Sequence, residues 1–255
     1  CPFCESNNII EIYKKDYYSE DIINFLKSHL NNFPLEILKN KEFIIMECKT
    51  CKGIFQKNIL NDYYNSKFYE NYVPHDVAFN KKKKKLDYFK KIQSYEVLFI
   101  KSHFEKIKKI KVLEFGAGWG LWSINAQKSG LNVTAIEISK TRLNYLKKNK
   151  IKVLDSINKI VDKYDFIFSD QTFEHLNNPF IILKKLLIHL NKNGIIFLKV
   201  PPGTKIKGKL KKNYTVGDDE IIPMEHINVF NRRVNAQLAK NLGLKYIYPR
   251  NCYPA

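Results

Sequence analysis

"VLEFGAGWGLW", residues 112–122, sets three glycines on alternate positions directly behind an apolar run, with one acid, Glu114, just ahead of them. Val112, Leu113 and Phe115 read as a buried strand, and Leu121 with Trp122 as the start of a helix. Gly116, Gly118 and Gly120 fill the turn between. Such a turn serves a tight strand-to-helix connection, or a backbone that a ligand must approach closely.

The flanking sequence decides the fold. "IKVLEFG" reads as a first strand, followed by "GLWSINAQKSG" as a helix. "NVTAIEIS" and "KTRLNYLKKN" repeat the pattern, and "IKVLDS" is a short third strand. "YDFIFSDQTFEHL" holds the fourth strand and its loop, and "PFIILKKLLIHL" the next helix. "NGIIFLKVPP" is a fifth strand, introduced by the turn at Asn193 and Gly194, and "FNRRVNAQLAKNLGLKYIY" reads as one more helix and strand. Strand-helix alternation of this kind predicts an α/β fold, a Rossmann-like parallel sheet with helices on both faces. In such sheets ligands lie beyond the carboxyl ends of the strands. Glu137, at the end of the second strand, follows the glycines at about the twenty-residue offset at which a carboxylate accepts from both ribose hydroxyls. Glycines, acid and strand context together point to a nucleoside-bearing ligand.

Ahead of this domain stand two C-x-x-C knuckles, "CPFC" (Cys1, Cys4) and "CKTC" (Cys48, Cys51). Each aims two thiolates at one ion, and two knuckles complete the tetrahedral sulfur shell of a structural Zn²⁺. Disulfides are disfavoured because nothing suggests export, and a redox role because neither pair sits in a βαβ setting. Cys252 stands alone and reads as an ordinary thiol. Between the knuckles, "SEDIINFLKSHLNNFPLEILKN" has helical apolar spacing, with Ser19 or Asp21 as N-cap. The Tyr-rich "NDYYNSKFYENY" reads as packing against a neighbour, "NKKKKK" as a solvated face, and "LDYFKKIQSYEVLFIKSHFEKI" as a long helix. The expected division is a zinc-ribbon module with a helical insert and connector over 1–75, a linker helix over 76–109, and the ligand-binding domain over 110–255.

"VLEFGAGWG" resembles the first motif, E/D-x-G-x-G-x-G, of the class I S-adenosylmethionine-dependent methyltransferases. An acid before evenly spaced glycines suits a cofactor bearing an amino group and a sulfonium better than a pyrophosphate. The resemblance implies that Glu114 helps anchor the methionine end, that Gly116, Gly118 and Gly120 shape the cofactor loop, and that Glu137 binds the ribose. It places Asp155 and Ser156 at the adenine edge, Gln171 at a cofactor or substrate contact, and an antiparallel strand near one edge of a seven-stranded sheet, for which the C-terminal segment is the candidate. "CPFC … CKTCKGIFQ … YYNSKFYENY … VLEFGAGWG … TFEHLNNP … EHINVF" is similar, over nearly the whole chain, to bacterial proteins that join a zinc ribbon to this fold. Many of those are linked to modifying sugars or glycans. The long insert between the knuckles departs from their shorter spacing.

The loop after strand four selects the acceptor. Enzymes of this family that methylate base amino groups carry Asn/Asp-Pro-Pro-aromatic there, whereas this chain has Asp170-Gln171-Thr172-Phe173. Its Pro201-Pro202 pair follows the fifth strand instead. A hydroxyl acceptor must lose its proton as the methyl arrives, and His226 is the candidate base, with Glu225 and His175 as rivals. Glu174 reads as a helix cap. The expected function is methylation of a sugar or glycan hydroxyl, the acceptor being a small molecule or a nucleotide-linked sugar. The alternative is an RNA methyltransferase that docks nucleic acid through its ribbon and lysines, and a second is a non-catalytic binding module on the cofactor fold.

The net charge of +19 invites the nucleic-acid reading. Yet the surplus is almost all Lys; Arg is confined to Arg142, Arg232, Arg233 and Arg250, and a Lys-Asn-Ile bias is what an AT-rich genome imposes. Arg is the better bidentate reader of phosphates and guanines, so nucleic acid is not favoured. No stretch approaches the roughly 18 unbroken apolar residues of a membrane span, and the opening "CPFCESNN" lacks a signal pattern, so a cytoplasmic protein is expected.

Overall fold

The computed structural model describes residues 1–74, 79–80, 84–212, 214–218 and 220–247. Cys252 and Arg250 lie outside the described residues, as does part of the "NKKKKK" run. Two compact units share the chain, and neither is continuous in sequence. One comprises Cys1–Pro74, Phe173–Ile182 and Val200–Ile247; the other comprises the described residues of His75–Thr172 and Leu183–Lys199.

The second unit holds the expected sheet. Its strands are β4 (Lys111–Phe115), β5 (Asn132–Ile136), β6 (Lys152–Leu154), β7 (Tyr164–Asp170) and β8 (Leu190–Lys199), in the order β6-β5-β4-β7-β8. Every pairing is parallel, and the order reverses between β4 and β7. The strand β7 is buried along nearly its whole length, which is why it reads as a continuous apolar run and not as an alternation. Residues Asn191–Gly194 loop out of the β7–β8 register, with Asn193 left-handed at φ 65°, so the turn read at Asn193 and Gly194 sits inside β8. Helices α3 (Leu86–His103), α4 (Leu121–Lys128) and α5 (Lys140–Lys148) flank the sheet. The α3 and α4 side chains Val97, Ile100, Trp122 and Ala126 close one core against Val112, Val133, Phe166 and Phe168.

The first unit carries a four-stranded antiparallel sheet, β1 (Ile9–Asp16), β2 (Glu42–Cys48), β3 (Ile54–Gln56) and β9 (Asn228–Val229), in that order. The insert between the knuckles folds as α1 (Glu20–His29), with Ser19 at its N-cap, and a 3-10 turn over Leu35–Leu38. Helix α2 (Asp62–Asn71) is the Tyr-rich segment; Asn61 caps it by accepting from the Tyr64 N–H. After α6 (Pro179–Ile188) and α7 (Ile206–Lys212), Asn231 caps α8 (Arg232–Asn241) by accepting from the Val234 N–H. Ile22, Leu26, Phe43, Ile45, Phe68 and Ile221 form the core of this unit.

Two expectations about the C-terminal segment need correction. Among the described residues the parallel sheet has five strands, with no antiparallel member, and Leu244–Ile247 is not a strand. The segment works elsewhere: β9 pairs with β3, and Gln56 donates to the carbonyls of Ile222 (2.6 Å) and His226 (3.0 Å). A buried amide that satisfies two loop carbonyls ties 222–229 to β3 more firmly than a two-residue ladder would alone. Among the described residues no helix is long and apolar enough to cross a membrane.

Candidate functional site

In the second unit, the turn after β4 and the ends of β5 and β6 come together. The N–H groups of Gly116 and Ala117 both donate to Ile136 O, and the Glu137 N–H donates to Leu154 O at 3.1 Å. These bonds align Gly116, Glu137 and the β6 end that precedes Asp155. The three glycines then divide by what occupies their missing side chains. A Cβ on Gly116 would lie 2.3 Å from Thr172 Oγ1, and one on Gly120 would lie 2.0 Å from Leu146 Cδ2. Those two are small because the protein itself fills the space. Gly118 has φ +57° and nothing within 4 Å of its Cβ position, so it alone leaves room for a ligand.

Glu137 is 5% exposed, and its carboxylate is fixed by three backbone donors. One oxygen accepts from Gly118 N–H at 2.7 Å, and the other from Ile138 (2.9 Å) and Ser139 (2.8 Å). Arg142 Nη1 pairs with the Gly118-bound oxygen at 3.6 Å, beyond hydrogen-bond distance, so of the carboxylate's four or so lone-pair directions one remains to accept from a ribose hydroxyl. Glu114 is buried and accepts from both the N–H and the hydroxyl of Ser123 in the first turn of α4, where an acid also favours the helix N-terminus. Trp119 packs on Phe79 and Tyr145, and its buried indole Nε1 has no hydrogen-bond partner among the described residues. An open glycine, a held carboxylate with acceptor capacity and an orphaned donor fit a nucleoside-bearing cofactor.

Asp155 pairs with Lys159 at 2.8 Å, which holds its carboxyl below the usual range. Ser156 caps the following 3-10 turn through the Asn158 N–H. Gln171 is left-handed at φ 52°, and its N–H is bound to Lys199 O. A network that sequence reading missed lies nearby: Glu96 accepts from Trp122 Nε1 and Lys199 Nζ, each at 2.9 Å. Burial pulls the Lys199 ammonium down, but Asp170 and Glu96 outweigh it and hold the group above its ordinary value.

The candidate bases lie in the first unit and touch one another. His175 Nδ1 sits 2.9 Å from the carbonyl oxygen of Glu225 and 2.7 Å from the Tyr69 hydroxyl, which donates to the same carbonyl at 3.1 Å. A carbonyl only accepts, so Nδ1 carries the proton and Nε2 presents its lone pair. The His175 and His226 rings meet edge to face with centroids 4.8 Å apart. Burial, aided by the neighbouring His226, pushes the His175 imidazole down to about 4. Glu174, His175 and His226 offer ligand atoms within 4.8 Å of one another, the donor types of a His₂Glu metal site. Glu225 accepts from His29 Nε2 at 2.6 Å. Burial raises its carboxyl, but the His29 hydrogen bond and the surrounding imidazoles overcome this and hold it below the usual range. Neither His29 nor Tyr69 was marked as functional by the sequence. His29 stands 196 positions from its partner, and no local signal links them.

The depressed His175 group makes acid stability a test. Its folded value lies below its ordinary 6.5, so the unfolded chain binds the proton first. Stability is therefore full above about pH 6.5 and falls toward pH 4, at up to about 1.4 kcal/mol per pH unit. Urea melts of His175→Phe are expected to lose that share of the slope; an unchanged slope would show that His175 titrates normally.

The four cysteines converge. Cys1 and Cys51 Sγ are 3.5 Å apart, Cys4 and Cys48 Sγ 3.6 Å, and all four lie within 4.8 Å of one another. Tetrahedral zinc with bonds of about 2.3 Å places its sulfurs roughly 3.8 Å apart, so the donor set fits the ion. The N–H groups of Cys51 and Gly53 point at Cys48 and Cys51 sulfurs, as thiolates require. Burial and the neighbouring sulfurs push the Cys4 thiol up to about 12.

Known proteins carry the same domain. A family model described as a methyltransferase domain matches residues 81–248. The ubiquinone biosynthesis O-methyltransferase of Rickettsia canadensis is 28% identical over 142 residues, 52% of this chain and 56% of that protein. Its counterpart in Rickettsia typhi is 31% identical over 44% of this chain and 49% of that one. The chain thus spans about half the length of these curated relatives. Among solved structures, the plantazolicin methyltransferase BpumL in complex with SAH superposes with a TM-score of 0.51 at 18% identity, over 66% of this chain and 68% of that one. That likeness shows the fold.

Proposed function

The chain belongs to the methyltransferase-domain family, and on that premise we propose that it transfers a methyl group from S-adenosylmethionine to an oxygen of a small-molecule acceptor. The carrying observation is the Glu137 carboxylate, held by Gly118, Ile138 and Ser139, with Gly118 the open member of the three motif glycines. Glu137 would hold the ribose and Gly118 admit the cofactor, with Glu114, Gly116, Gly120, Asp155, Ser156 and Gln171 shaping the surroundings. When bound, the cofactor supplies an electrophilic methyl on a sulfonium. The relatives named as O-methyltransferases support oxygen as the acceptor. The motif resemblance to ribbon-bearing proteins supports a sugar hydroxyl, including one on a nucleotide-linked sugar.

The chain's own task is to take the hydroxyl proton as the C–O bond forms and the C–S bond breaks. Glu225 is engaged with His29, so we assign the proton to His226, with His175 as the neighbouring neutral imidazole. His226→Ala is expected to lower turnover about a hundredfold or more with little change in cofactor Kd. Loss of cofactor binding instead would make the residue structural.

Transfer of a radiolabelled methyl group to a nucleotide-sugar and glycan extract, beside total RNA, tests the acceptor. Label in the sugar fraction supports the reading. Label in RNA alone replaces it with nucleic-acid methylation.

A further inference from the structure

We infer that a basic cleft in the first unit binds a diphosphate, the group that would anchor a nucleotide-linked acceptor. The cleft has a volume of about 320 Å³ and is lined by Lys49, Lys52, Lys207 and Arg233 together with Glu47 and Asn231. That volume lies within the range of small-ligand sites. Its one acid is already satisfied: Glu47, 3% exposed, holds Lys207 Nζ at 2.7 Å. Lys49, Lys52 and Arg233 have no carboxylate partner among the described residues. Three unmatched cations around one concavity repel each other, and an anion seated among them removes that cost.

The cations stand on fixed backbone. Lys49 and Lys52 flank the second knuckle; the Lys49 N–H donates to Asn8 O at 2.8 Å, and the Lys52 N–H to Cys48 O at 2.9 Å. Arg233 lies in the first turn of α8, whose start is set by the Asn231 cap at 3.0 Å. A helix start adds partial positive charge to what the side chains supply. Arg is scarce in this chain, so Arg233 at this spot is not explained by the general Lys surplus. Its planar fork binds two phosphate oxygens at once, and the lysines match a second phosphate as point charges. A diphosphate, with two to three negative charges, matches the three free cations better than one phosphate.

The cleft is also within reach of the proposed base. Asn231 follows His226 by five positions, through the two-residue β9, a span of about 18 Å at most. A sugar carried on a diphosphate in the cleft would project its hydroxyls over such a distance. This inference rests on the acceptor reading above, but the cleft can be tested without turnover.

Isothermal titration of the zinc-loaded chain with inorganic pyrophosphate, UDP, orthophosphate and a ten-nucleotide uridine RNA, at constant salt, decides it. Pyrophosphate and UDP are expected to bind at least about tenfold more tightly than orthophosphate. Arg233→Gln and Lys49→Gln should each weaken both by about tenfold, while Lys27→Gln, an exposed lysine on α1, should not. Circular dichroism melts and zinc content establish that each variant is folded. Equal affinity across all variants would reduce the cleft to general lysine attraction and overturn the site. RNA binding tighter than UDP and lost in Arg233→Gln would overturn it in favour of nucleic acid. UDP binding lost in the variants, with no methyl transfer to nucleotide sugars, would uphold the cleft and reject the sugar acceptor.

Discussion

Glu137→Ala is expected to weaken S-adenosylmethionine binding about a hundredfold, measured as Kd by isothermal titration. A hydrogen bond to a charged group contributes roughly 1.5–3 kcal/mol, and a tenfold change in Kd is about 1.4 kcal/mol. The substitution removes the proposed ribose acceptor and also leaves three N–H groups, of Gly118, Ile138 and Ser139, without theirs. The loop proposed to accept the cofactor would lose the pin that holds Gly118 at φ +57°. Glu137→Gln is expected to be nearly as damaging, because its NH₂ would face a backbone donor at one of the positions where oxygen now accepts. Asp155→Ala provides the contrast. That carboxylate is half exposed and engaged by Lys159, so its removal should change Kd by less than about tenfold. Binding by Glu137→Ala within threefold of the parent would remove the carboxylate from the site.

The sequence pattern revealed the parallel sheet because its signals are local. Apolar runs mark β4, β5, β7 and β8, and the glycine turn and Glu137 occupy set distances from them. The cysteines were legible for the same reason. What escaped reading depends on partners remote in sequence. "IIEIYKKD" gains a strand identity only by pairing with β2, across the α1 insert. Val229 and Asn228 form a strand only because Ile54 and Phe55 present an open edge. The glycine motif itself concealed a division of labour: nothing local reveals that Thr172 fills the space beside Gly116, and Leu146 that beside Gly120, while Gly118 stays open. His29 illustrates the limit. It lies in the segment that departs from the ribbon spacing, yet folding delivers its imidazole to Glu225.

Withdrawal of the zinc that we propose for the four cysteines is expected to unfold the module around β1–β3. The parent should carry about one zinc per chain by mass spectrometry, and Cys48→Ser should lose it. Structural zinc contributes apparent binding energies of about 10–16 kcal/mol, comparable with the whole stability of a typical domain. The packing here would give the metal that leverage. Cys48 ends β2 and its N–H donates to Gly53 O at 2.8 Å, so the knuckle turn also starts β3. Phe3, between the first two cysteines, is 1% exposed, packs edge-on against Phe230 at 5.2 Å and occupies the space beside Gly53. Release of such an ion would free Cys1 and Cys4, and with them the anchor of Phe3. Four thiols so close together cannot ionise jointly without a cation, and protonated sulfurs give up the N–H bonds from Cys51 and Gly53 much of their strength. Amide hydrogen exchange after chelation should therefore show lost protection in β1, β2 and β3. A metal-free chain that keeps that protection would mean that the apolar contacts of Phe3 and the β1–β2 ladder suffice, and the cysteines would then need another explanation.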